Sequence, residues 1–134
     1  MSSINSSSLR PFSYPNTTIQ RAERALVCSP FNLSLFAAMR FERVALAEIT
    51  GSVGVKNGYS KHPLSELAAD NSLVWLIQVG ILRREVDGQG ITDSFRLTPL
   101  GRQIVEQYQG SNWRNPTWGD RLLNAINRWF RLPF

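Results

Sequence analysis

With 134 residues, 43% of them hydrophobic, the chain has the length and apolar content of one domain built on one core, with short appendages. Fifteen Lys and Arg against ten Asp and Glu give a formal net charge of +5, the sign that suits nucleic acid or an anionic surface. One cysteine, Cys28, and one histidine, His62, exclude an intramolecular disulfide and a Cys/His zinc cluster built from one chain.

Residues 1–16 are Ser-rich, with Pro11 and Pro15 in an Arg-Pro-Phe-Ser-Tyr-Pro stretch, and read as a flexible N-terminal arm. The start has no apolar core of a secretory signal and no run is long enough to span a bilayer, so a soluble cytoplasmic protein is expected. Asn16, Thr17 and Thr18 are candidate caps for a helix that places Ile19, Ala22, Ala25 and Leu26 on one face and ends before Pro30. From Phe31 to Ile49 the apolar residues cover more than one stripe, which predicts a single buried helix. The glycines of Gly51-Ser-Val-Gly-Val-Lys-Asn-Gly58 predict a connecting loop. They lack the Gly-Lys-Ser/Thr of a phosphate-binding loop.

His62 to Ala68 reads as a short helix with Pro63 at its first position, followed by a turn at Asp70 and Asn71 and a second helix from Ser72 to Val79 that stops at Gly80. Two short helices joined by a tight turn have the geometry of a helix-turn-helix. Ile81–Val86, the turn Asp87-Gly-Gln-Gly90 and Ile91–Leu97 then form a hairpin. Thr98 and Pro99 supply the cap and first residue of a further helix, whose inner face carries Leu100, Ile104, Val105 and Tyr108.

Through Leu76-Ile-Gln-Val-Gly-Ile-Leu-Arg-Arg84, Asp87-Gly88 and Phe95-Arg-Leu-Thr-Pro-Leu-Gly-Arg102, this stretch resembles the winged helix-turn-helix superfamily of small bacterial repressors. The resemblance covers about fifty residues, from about 60 to 110. It implies a mainly α fold with a small β-hairpin, a winged-helix domain over residues 17–110 with added N- and C-terminal helices. In the DNA readers it resembles, the second helix enters the major groove and the wing reaches an adjacent groove or the backbone. The corresponding contacts here are Asn71, Ser72 and Gln78 on the helix, Arg83, Arg84 and Gln89 on the wing, and Arg10 on the arm.

The helix has no Arg or Lys among those positions, which leaves Asn71 and Gln78 to hydrogen-bond to bases. The winged unit itself is not basic either. Residues 60–110 carry five basic and six acidic groups, whereas each flank is net +3. Two readings follow: a dimeric DNA-binding transcriptional regulator, and a winged-helix adaptor that binds protein through the apolar faces of the 72–79 helix, with Val74, Trp75 and Ile77, and of the C-terminal helix. Burial under the wing is the expectation for Trp75 itself.

Residues 111–134 form a linker and an amphipathic helix starting near Gly119 or Asp120 and closed by Pro133. Leu122, Leu123, Ile126, Trp129 and Phe130 share one face, with Arg121, Asn124, Asn127 and Arg128 opposite. The expectation is that this apolar face packs on the domain or pairs with its copy in a homodimer. An interfacial membrane helix is the sharper reading, and three arginines, Arg121, Arg128 and Arg131, give it little charge. Nothing in the sequence has the pattern of an enzyme. His62 has no partnered nucleophile, Cys28 reads as a packed small residue, and the carboxylates are scattered singly, so no catalytic residue, metal or cofactor is assigned.

Overall fold

The computed structural model describes residues 14–86, 93–108 and 116–130, with Phe130 described by its backbone alone. Residues 1–13, which include Arg10, residues 87–92, which include Gln89, and residues 109–115 and 131–134 lie outside the described residues. The order is α1 (Asn16–Val27), α2 (Leu33–Met39), β1 (Val44–Ala45), a 3-10 turn (Leu46–Glu48), α3 (Gly51–Lys56), α4 (Glu66–Gln78), β2 (Leu82–Val86), β3 (Asp93–Leu97), α5 (Pro99–Glu106) and α6 (Trp118–Phe130). The fold is thus mainly helical with a small antiparallel sheet of strand order β1-β3-β2.

Local signals place the second half. Ser65 caps α4 by accepting from the Ala68 N–H at 3.0 Å. Gly80, at φ 93°, turns the chain out of α4 in a conformation that a side chain would oppose. β2 and β3 then pair with Arg83 opposite Arg96 and Arg84 opposite Phe95. Thr98 caps α5 by accepting from the Gly101 N–H at 3.0 Å, with Pro99 at the first helical position, as the sequence predicts. Phe31, Leu35, Phe36 and Met39 from the α2 region meet Leu73, Leu76, Ile81, Phe95, Leu97 and Ile104 in one core, roofed by Ala22, Ala25 and Leu26 of α1.

Several expectations are corrected. Phe31–Ile49 is not one helix: α2 ends at Met39, and Val44 and Ala45 leave it to pair with Phe95 and Ser94 of β3. Pairing across fifty residues outweighs the local helical pattern, as tertiary context does for a two-residue strand. The glycine-rich segment 51–58 is not a plain loop, since Gly51–Lys56 forms α3. Gly54 is what lets this helix close on its own entry, because a Cβ there would lie 1.8 Å from the Ile49 carbonyl oxygen.

The helices 62–68 and 72–79 are one helix, Glu66–Gln78, and Pro63 precedes it rather than opening it. Asp70 caps nothing; its carboxylate is held by Arg84 at 3.2 Å. Asn16, Thr17 and Thr18 make no cap either, as α1 starts directly after Pro15, whose carbonyl accepts from the Ile19 N–H.

Gly54→Ala is expected to cost about 1–3 kcal/mol, because backbone rather than a flexible side chain blocks the new methyl. Urea unfolding should show a lower midpoint at unchanged slope. An unchanged midpoint would contradict the close approach of α3 to Ile49.

Candidate functional site

The surface that the sequence assigns to DNA gathers around α4. Asn71 and Gln78 are exposed, Ser72 is half-buried, and Asn71 and Gln78 line an open groove of about 590 Å3 with Val74, Trp75, Arg128 and Trp129. Two of the sequence candidates are therefore brought together, and α6 supplies the other wall. Arg128, on the opposite face to the one expected to matter, donates to the Asn71 carbonyl at 3.3 Å.

Arg83 and Arg84 are separated by the strand itself, since successive side chains point to opposite faces of the sheet. Arg83 pairs with Glu85 at 3.0 Å, and Glu85 also lies 3.9 Å from Arg96. Across the sheet, Arg84 stands over the Phe95 ring at 5.1 Å and is held by Asp70 at 3.2 Å and Asp93 at 3.0 Å. Two carboxylates beside a guanidinium offset its charge and weaken its attraction for a phosphate. At the start of α4 the outward side chains are Glu66 and Leu67, the latter 70% exposed.

The C-terminal helix is capped as its sequence allows: the Asp120 N–H donates to Thr117 Oγ1 at 3.1 Å, and the Thr117 N–H donates to the Asp120 carboxylate at 2.9 Å. Of the two arrangements expected for its apolar face, its orientation excludes packing on the domain. α6 lies against α1 through its polar stripe and turns its apolar one outward. Asn127 is fully buried and accepts from Arg24 Nη2 at 3.1 Å. Asn124 Oδ1 accepts from the Trp75 indole N–H at 3.0 Å.

Trp75 is buried as expected, but it reaches a partner on α6 rather than lying under the wing. The expected interface residues Leu122, Leu123 and Trp129 are exposed and Ile126 is half-buried. The side chain of Phe130 lies outside the described residues.

Sequence reasoning gave Asp70 only a turn, placed Asn124, Asn127 and Arg128 only on a polar face, and foresaw no contact for any of them or for Arg24. A signal existed. Asp120, Asn124, Asn127 and Arg128 repeat at helical spacing as regularly as the apolar residues do, and a buried indole needs an acceptor. His62 is exposed, with Nδ1 3.3 Å from the Pro63 carbonyl. Cys28 is half-buried and lines a small cavity with Ser72 and Asn124. Among the described residues no three His, Cys, Asp or Glu side chains gather closely enough to hold a metal ion. No helix among them is long and apolar enough to cross a membrane.

A model of the Npun_F0494-like family matches residues 12–128. The chain belongs to that family. The match runs from the arm through most of α6, so in this Npun_F0494-like protein the C-terminal helix falls within the family's own span. No curated protein and no solved structure matches the chain.

Asn124→Ala leaves the Trp75 N–H without its acceptor, and the expected loss is about 1–2 kcal/mol. Amide hydrogen exchange should quicken across α6 before it quickens in α5 or the sheet. Unchanged exchange in α6 would show that the Asn124 bond does not hold the helix.

Proposed function

We propose that this protein is a non-catalytic winged-helix module that binds another protein rather than reading DNA bases. Support for the winged-helix part comes from the element order. The α2-β1-α3-α4-β2-β3 sequence and a sheet ordered β1-β3-β2 follow the helix and strand order of that fold, with α4 in the place of the recognition helix. The helix-turn-helix then consists of α3 and α4, joined by residues 57–65, a longer connection than the three- or four-residue turn of the DNA-binding motif.

The observation that carries the choice of partner is the chemistry of the outward end of α4 and of the wing base. Glu66, Leu67 and Asp70 stand where base-reading side chains are needed, and both wing arginines lie beside carboxylates, Arg83 by Glu85 and Arg84 by Asp70 and Asp93. An acidic and apolar surface repels a phosphate backbone and suits a protein partner. α6 adds a steric argument. A major groove admits one helix, and α6 stands beside the C-terminal half of α4 across the Asn71–Gln78 groove.

A second reading, a DNA-binding regulator, draws support from the net charge of +5 and from Arg128 joining Asn71 and Gln78 in one groove. Fluorescence anisotropy of the full chain on random-sequence duplex across a salt series separates the two. The protein-binding reading predicts no salt-sensitive binding and no difference between wild type and the Arg83→Ala/Arg84→Ala double variant. Salt-sensitive binding whose slope flattens in that variant would overturn it in favour of DNA.

A further inference from the structure

We propose that the outward face of α6 pairs antiparallel with the same face of a second copy of this chain. Trp118, Leu122, Ala125 and Trp129 follow one another at spacings of four, three and four residues, the seam spacing of helices that pack side by side. All four are exposed, Trp118 by 78% and Trp129 by 80%, because the polar stripe beneath them is the one that docks on the body. The inference is independent of the choice between protein and DNA as the partner of α4.

The seam is complementary to itself only when reversed. In an antiparallel pair Trp118 meets Trp129 of the second copy at both ends, and Leu122 meets Ala125 of the second copy at the centre, a large side chain against a small one. In a parallel pair Leu122 would meet Leu122 and Ala125 would meet Ala125, leaving a bulge beside a gap. Charge agrees with the reversed register. Arg121 comes opposite Ile126 and Arg128 opposite Gly119, so no arginine faces another, and the acidic Asp120 is engaged in the Thr117 cap.

Size sets the strength. Two indoles and a leucine cover on the order of 500 Å2 per copy, and the pair then buries about 1,000 Å2, the lower bound of specific interfaces. A dimer held this way is weak and concentration-dependent. Copies of net charge +5 repel, so added salt strengthens the association rather than loosening it.

The test is sedimentation velocity of the full chain over a concentration series, with Trp118→Glu and Trp129→Arg made separately. Both positions are exposed, so circular dichroism and the thermal midpoint serve as the check that each variant folds. Wild type is expected to move from the mass of one chain toward that of two, and each variant alone to associate at least about tenfold more weakly.

An equimolar mixture of the two variants is expected to dimerise again. The antiparallel register places Glu at 118 of one copy against Arg at 129 of the other and restores a Trp–Trp contact at the opposite end. A wild type that stays monomeric at every concentration overturns the proposal and assigns the stripe to another partner or a lipid surface. A dimer that survives both single variants overturns it by placing the interface elsewhere, and a mixture that stays monomeric overturns the antiparallel register.

Discussion

The arrangement of this protein turns on a buried indole N–H and a half-buried guanidinium that both need acceptors. Trp75 lies at the inner side of α4 and Arg24 on α1, and each finds its partner on α6. Asn124 and Asn127 supply the two acceptors from a single helix. Leaving such groups unpaired in a dry interface costs more than the net gain of a typical hydrogen bond. The helix is therefore drawn on by its polar stripe, and its apolar stripe is left to face outward. Two distinctive features of the surface follow: the groove between α4 and α6, and the exposed tryptophans.

That polar docking also bears on α4. A helix that is apolar nearly all round has to be covered on more than one side, and here α1, β2 and the 3-10 turn cover it, while α6 holds Trp75 and the Asn71 carbonyl. What remains exposed is Glu66, Leu67, Asn71 and Gln78. Arg84 links α4 to the hairpin through Asp70 while resting on Phe95. The basic excess of the chain lies in the flanks rather than in residues 60–110.

The sequence was most legible where the signal was short-range. Gly80, the run Leu82–Val86 before the Asp87-Gly88 pair, and the Thr98-Pro99 pair mark helix end, strand and cap within a few residues of the feature they cause. β1 was illegible because a two-residue strand owes its existence to Phe95 and Ser94, fifty residues away. α3 was hidden by glycines that serve close approach to Ile49 rather than a loop. The extent of α6 was readable, but the side facing inward was not. Amphipathic periodicity says that a helix has two faces, and the common rule that the apolar one goes in fails when the body offers unpaired donors instead of an apolar trough.

Hydroxyl-radical footprinting with mass spectrometry, on the native full chain diluted until it is monomeric, tests that orientation most directly. The account predicts heavy oxidation of Trp118 and Trp129, measurable modification of Leu122, and protection of Trp75 in the same sample. Protection of Trp129 and Leu122 in the monomer, with Trp75 oxidised, would show that α6 docks by its apolar stripe and would contradict the account.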